Sequence, residues 1–272
     1  MARLAHQFAA WMITAIIVVI VPTATAQQQK QEEKVAIHRD SCDLRSSLDS
    51  FGITARVQGN RGTCSVFALT QAIEFALAKR DGSVPRLSVE YLNWASNRAT
   101  PDTEDGGFFS DLWKGFAAYG ICSEESMPYQ VKYDPKIEPS AAARTDAERR
   151  REAGLRLHWI KEWDSKRGLN PDELSRVLVT LAHGWPVSGG FLWPKRATWE
   201  KSVLQICPRD SVFDGHSLLL VGYKDDPALP GGGVFLIRNS GGPGRDGFIT
   251  YEYASAYMND AVWVDSDSPP ER

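Results

Sequence analysis

Between Gln58 and Leu77 the chain reads Gln-Gly-Asn-Arg-Gly-Thr-Cys-Ser-Val-Phe-Ala-Leu-Thr-Gln-Ala-Ile-Glu-Phe-Ala-Leu, a glycine-broken loop that meets an apolar run at Cys64. Val66, Phe67, Ala68, Leu69, Ala72, Ile73, Phe75, Ala76 and Leu77 are apolar at helical spacing and nearly all round, the pattern of a helix enclosed by a core. Such a helix is central to its domain. A thiol at its first turn faces unpaired backbone N–H groups and the positive end of the helix dipole, which favour thiolate over thiol and make a nucleophile. The competing reading of a lone cysteine is a small buried hydrophobe, and two distant stretches weigh against it.

In Asp214-Gly-His216-Ser-Leu-Leu-Leu-Val-Gly-Tyr223 a histidine stands at the entry to an apolar run that reads as a buried strand closed by Gly222. In Gly233-Val-Phe-Leu-Ile-Arg-Asn239-Ser-Gly-Gly a second buried strand delivers one amide side chain beside a glycine-rich turn. A thiolate nucleophile needs a base to take its proton and a third group to orient the base, and Cys64, His216 and Asn239 supply those types. Gln58 adds a side-chain amide able to donate to an oxyanion, with the Cys64 N–H as second donor.

Gln58 to Cys64, the Gly-His216 strand and the Arg-Asn239-Ser strand resemble the three motif blocks of the papain-like cysteine peptidases, over roughly residues 40 to 265. His216 and Asn239 follow Cys64 by 152 and 175 residues, at or somewhat beyond the usual separation. The resemblance implies Cys64 as nucleophile, His216 as general base and acid, Asn239 as its orienter and Gln58 as oxyanion donor, with no metal and no cofactor. It implies peptide or protein substrates, with Gly106 and Gly107 as the paired glycines that hydrogen-bond an extended peptide. Phe108 and Phe109 fall where the family lines its pocket for the residue two positions upstream of the cut; core packing is the alternative for both. The implied fold is α+β, a papain-like two-lobe arrangement with a helical lobe, about 50–130, packed against an antiparallel β-sheet or barrel lobe, about 155–265.

The chain departs from the family at several places. The usual cysteine three residues before the nucleophile is Arg61, and its usual bridge partner aligns with Glu104. An Arg61 to Glu104 ion pair is expected instead, contributing about 1 kcal/mol or less where a disulfide gives about 2 to 4. The aromatic that follows the nucleophile is Ser65, and Asn-Ser-Trp-Gly reads Asn239-Ser240-Gly241-Gly242. In the family that Trp shields the His to Asn hydrogen bond from water, so its loss raises the local dielectric and predicts reduced activity. Trp193 or Trp199 are the candidates to cover the site from elsewhere.

Arg3, the apolar stretch from Phe8 to Val21 and Ala24-Thr-Ala26 read as an export signal cut after Ala26, since a membrane span needs about 20 apolar residues. The mature form is then secreted or periplasmic and does not span the membrane. Residues 27–39 are polar and aperiodic, a flexible leader too short for the family's long inhibitory propeptide, which leaves control to the leader itself, to a proteinaceous inhibitor or to no latency. The domain covers 40–265 and a tail 266–272.

Helical turns are expected at Leu87 to Trp94, with Ser88 as a cap, at Asp111 to Tyr119, across the Ala- and Arg-rich stretch Ser140 to Gly154, and from an Asn170 cap to His183. Strands are expected at Leu157 to Trp163, Trp185 to Trp193, 216 to 223, 233 to 239, 247 to 253 and 261 to 264. With 31 basic against 34 acidic residues and no charged block, the chain has no feature suited to nucleic acid. His158 and His183 carry no ligand spacing. If Cys64 stays free, Cys42, Cys122 and Cys207 allow one disulfide and one spare thiol. Within this chemistry the leading reading is an exported endopeptidase; the alternatives are a catalytically weak homologue that binds peptides or proteins, and a peptide ligase or transpeptidase.

Overall fold

The computed structural model describes residues 40–101 and 103–266. The expected export signal, the leader up to residue 39 and the tail beyond Ser266 lie outside them.

The central helix α2, Cys64–Asp81, is buried along its whole length from Cys64 to Ala78 and ends on Gly82, whose left-handed backbone (φ 79°) returns an N–H to the Ala78 carbonyl. It needs cover on every side. The short α1, Arg45–Ser50, lies before it in the chain, and α3, Val89–Ala99, and α4, Phe109–Tyr119, follow. Ser88 caps α3 by accepting from the Tyr91 N–H, as its position predicts, although the helix runs five residues past Trp94. The charged helix α5, Ala141–Arg151, buries only Ala143 and Ala147, which join Tyr91, Trp94 and Met127 in a small satellite core.

The other face of α2 meets a nine-stranded sheet. Its strands are β1 Ser41–Asp43, β2 Leu155–Lys161, β3 Val187–Pro194, β4 Trp199–Glu200, β5 Val203–Leu204, β6 Val212–Asp225, β7 Gly233–Arg238, β8 Gly247–Thr250 and β9 Met258–Ser266. They run in the order β2-β9-β3-β6-β7-β8-β5-β4, with β1 paired to β6, and every pairing is antiparallel except β5 with β8. The architecture is thus α+β. Leu219, Val221, Leu236, Val262 and Val264 of the sheet share one core with α2, and the Ser188 hydroxyl donates to the Ala68 carbonyl at 3.1 Å. A second core behind the sheet is covered by α6, Pro171–Ala182, which begins with an Asn170/Glu173 capping box, and by α7, Tyr251–Tyr257.

Two expectations change and one strand is added. The strand expected over 247 to 253 stops at Thr250, whose hydroxyl accepts from the Tyr253 N–H and starts α7. The start of the domain adds a strand to the sheet: β1 crosses Gly222, where a Cβ would come within 2.2 Å of the Cys42 carbonyl oxygen. No disulfide forms. All four cysteines are thiols, with Cys122 inside the helical satellite core, the Cys42 thiol donating to the Leu181 carbonyl at 3.1 Å, and Cys207 beside Tyr257.

Candidate active site

The cleft is built from two kinds of structure. One wall comes from loops around the first turn of α2, the other from strands β3, β6 and β7. Cys64 is the first residue of α2 and 8 % exposed, and the preceding Thr63 makes no side-chain cap, so first-turn N–H groups stay available. Its thiol donates to the carbonyl of Gly215 at 3.8 Å, on the strand that presents His216.

His216 Nε2 donates to Asn239 Oδ1 at 3.2 Å, since the amide oxygen can only accept. Nδ1 is then the accepting nitrogen of the neutral ring. The register of β6 with β7 sets this pair, with Leu219 opposite Arg238, and a backbone bond from Asn239 N to Asp246 Oδ1 at 3.2 Å holds the turn beyond β7. Gln58 is fixed at both ends of its amide. Ser240 Oγ donates to its Oε1, and its Nε2 donates to the Arg61 carbonyl at 2.8 Å, which assigns the amide orientation and leaves one Nε2 hydrogen free of that bond.

The ring of Trp193, from β3, stands edge-on to the His216 imidazole with centroids 4.6 Å apart, and Trp199 lies 6.2 Å beyond it. The indole that the Asn239-Ser240-Gly241 turn lacks is therefore supplied by another strand. Gly241 is exposed, and a Cβ placed there would lie 3.1 Å from the Arg245 stem.

Arg61 does not pair with Glu104. Its guanidinium reaches Asp105, one residue further on, at 2.8 Å, and Glu90 of α3 at 2.5 Å, while stacking over Tyr129 at 4.5 Å. The Glu104 carbonyl instead accepts from Asn97. Burial works against the Arg61 charge, and the two carboxylates overcome it, holding the guanidinium above its ordinary pKa. This network is buried, with Arg61 and Glu90 side chains 4 % and 1 % exposed, so it is not the weak surface pair expected. It draws the Gly106-Gly107 stretch against the loop that ends at Cys64. Gly106, at φ 112°, lies so close that a Cβ would be 2.2 Å from the Gly62 oxygen, and its N–H donates to Asn93 Oδ1. Ser65 contributes a bond of its own, Oγ to the Gly107 carbonyl at 2.6 Å.

Two cavities meet at His216. One, of about 270 Å³, is lined by Cys64, Gly107, Phe108, Trp163, His216 and Asp260 among others. Phe108 is 50 % exposed and packs edge-on to Trp163, whereas Phe109 touches the cavity but is buried in the α2 core at 1 % exposure. The core alternative fits Phe109 and the pocket reading fits Phe108. The other cavity, of about 620 Å³, is lined by Gln58, Trp193, Trp199, His216, Asn239 and Gly241 among others. Trp163, two residues past β2, and Asp260, inside β9, line the 270 Å³ cavity but carry no motif that marks them in the sequence. Among the described residues no group of three or more His, Cys, Asp or Glu is placed to hold a metal.

Burial pushes the Cys64 thiol up, outweighing the backbone N–H groups of Ser217, Ser65 and Cys64 that pull it down. The lowering expected from the helix terminus alone is thus overridden by desolvation. Burial likewise pushes His216 down, against the Asn239 bond that raises it.

Bovine pro-cathepsin H is 25 % identical over 212 residues, which cover 75 % of this chain and 57 % of that protein, so the chain spans little more than half of that relative's length. Among solved structures, xylellain, a cysteine protease from Xylella fastidiosa, superposes with a TM-score of 0.67 at 22 % identity, covering 86 % of this chain and 89 % of that one. Digestive procathepsin L 3 of Tenebrio molitor larval midgut gives 0.58 at 20 % identity, covering 84 % and 70 %. At these identities the likeness to solved structures concerns the fold. The family model for papain family cysteine proteases matches residues 39–262, most of the sequence, and the chain belongs to that family.

Proposed function

We propose that the chain is an exported cysteine endopeptidase in which Cys64, His216, Asn239 and Gln58 carry out peptide hydrolysis. The observation that carries this reading is the His216 Nε2 to Asn239 Oδ1 bond of 3.2 Å, which turns the ring so that Nδ1 is the nitrogen left to accept the Cys64 proton. As Sγ attacks the peptide carbonyl, its proton moves to Nδ1. The developing oxyanion is met by the Cys64 N–H and by the remaining Nε2 hydrogen of Gln58, pre-aimed by Ser240 and Arg61. His216 then gives its proton to the leaving amine, and a water activated by the same imidazole hydrolyses the thioester. The extended peptide lies along Gly106-Gly107, with its second upstream side chain toward Phe108 and Trp163.

A second reading has an observation of its own. Burial pushes the Cys64 thiol up and the His216 imidazole down, directions that disfavour a thiolate–imidazolium pair and fit a slow enzyme or a homologue that mainly binds peptides. The edge-on Trp193 favours catalysis, because it packs against the imidazole that bonds Asn239 and covers one side of it.

The test is a peptide-like epoxide that alkylates activated cysteine nucleophiles, added to the protein from residue 27 onward under reducing conditions, with peptide mapping. Labelling confined to Cys64 and lost in His216→Ala is expected. A folded sample that stays unlabelled contradicts the peptidase reading and leaves the peptide-binding one.

A further inference from the structure

Four donors from two elements converge on the Cys64 sulfur, and one of them is a side chain from outside the motif that carries the nucleophile. Strand β6 pairs with β3 from Val212 to Leu220, whereas its pairing with β7 begins only at Leu219. The Cys64 thiol meets β6 ahead of that point, at the Gly215 carbonyl, 3.8 Å away. Residues two apart on a strand direct their N–H and C=O groups to the same edge, so Ser217 presents its N–H beside the Gly215 carbonyl. That N–H bonds the sulfur from the strand side, as those of Cys64 and Ser65 do from the helix side. The fourth donor is the Ser217 hydroxyl, which reaches the same sulfur and lines the 270 Å³ cavity with Cys64 and His216. Ser217 is the one polar side chain in the run Ser-Leu-Leu-Leu-Val after His216, whose other members are buried.

We propose that the Ser217 hydroxyl is a further catalytic group, donating to the Cys64 sulfur and holding its negative charge while the thiol proton resides on His216. This role rests on the peptidase reading given above. A buried sulfur has little water around it to solvate a charge, so protein donors must take the place of water. The Cys64 N–H cannot serve throughout, because it turns to the oxyanion once Sγ has bonded the peptide carbon. Ser217 has no such second duty. When water hydrolyses the thioester, the C–S bond breaks with its electron pair on sulfur, and the hydroxyl receives the returning thiolate. Ser217 keeps its own hydrogen at every stage; it donates a hydrogen bond and transfers no proton.

The test is the rate of Cys64 alkylation by iodoacetamide against pH, read by peptide mapping. The reagent is small, needs no peptide subsite and reacts with the thiolate. The titratable groups that line the cavity with Cys64 are His216 of β6 and Asp260 of β9, and both are unchanged in the variants used. In Ser217→Ala the acid limb of Cys64 labelling should move to higher pH, and the rate on that limb should fall about tenfold, the scale of a hydrogen bond to a charged group. Cys207, labelled in the same sample, should keep its rate. Ser217→Thr, which restores a hydroxyl, should recover most of the loss at Cys64. A packing role predicts the opposite sign, because a loosened site exposes the thiol and speeds its labelling. Equal or faster labelling of Cys64 in Ser217→Ala, or a loss that Ser217→Thr leaves uncorrected, overturns the proposal and leaves the peptidase reading intact. Should Ser217→Ala not fold, Ser217→Gly removes the same hydroxyl and is read in the same way. The peptidase reading fails separately, when the epoxide leaves Cys64 of the unmodified protein unlabelled, and the iodoacetamide comparison then still decides whether the hydroxyl holds the thiolate.

Discussion

The wall of the cleft that carries Cys64 is held by buried charge, with Arg61 between Glu90 and Asp105 and Arg56 between Glu74 and Glu124, whereas His216 is held by strand register and the ring of Trp193. The difference follows from the backbone. Strands satisfy their own N–H and C=O groups, so β6 and β7 place His216 and Asn239 without help from ions. The loops at 54–63 and 103–108 are tied, apart from the single bridge of Val57 to Gly241, by side chains. Arg56 donates to the Leu87 carbonyl at 2.9 Å, Glu74 accepts from the Leu87 N–H at 2.7 Å, and Arg61 donates to the Gln130 carbonyl at 2.8 Å. Burial pushes the Glu74 carboxyl up to about 7 despite Arg56. A covalent tie between the same loops is replaced by a guanidinium that also stacks on Tyr129.

The largest effect should come from breaking the charged wall. Arg61→Met leaves the buried Glu90 and the half-buried Asp105 without their cation and is expected to cost about 3–5 kcal/mol, read by urea unfolding. A loss below about 1 kcal/mol would show that the loops are held by something else. Asp105→Asn should weaken the fold by less, and Glu104→Gln should change it by under about 0.5 kcal/mol, since the pair lies at 105 and not at 104.

On the opposite wall, Trp193→Ala is expected to spare the register and act on the proton. His216 accepts only when neutral, and burial holds its pKa below the ordinary 6.5, so the acid limb of kcat/KM should lie below pH 6.5. Removing the indole admits water, so the limb should move to higher pH and kcat should fall by about tenfold. A limb that stays in place would deny Trp193 its shielding role. The smallest effect concerns the thiols: with no disulfide among the four cysteines, adding reductant should shift the melting temperature by about 1 °C or less.

The cleft was legible where chemistry and periodicity coincide. Cys64 opens an all-round apolar helix, and His216 and Asn239 sit on continuous apolar runs, so residue type and element could be read together. Arg61 was legible as a replaced cysteine, but its partner was misplaced by one residue, because alignment fixes a loop position and not the direction of a side chain. The helix at Tyr251 was hidden by β-prone aromatics, and only the Thr250 cap marks it. Desolvation at Cys64 depends on groups from β6 that are far away in the chain, and a local argument from the helix terminus could not include them.

The most direct measurement of the central claim is acid-quench trapping of the acyl-enzyme. Excess protein is mixed with an activated peptide ester, and its mass and modified peptide are read within the first turnover. The account predicts a thioester on Cys64 that forms and decays in the unmodified protein and fails to accumulate in His216→Ala. Release of product with no adduct at Cys64, or equal acylation without His216, would contradict it.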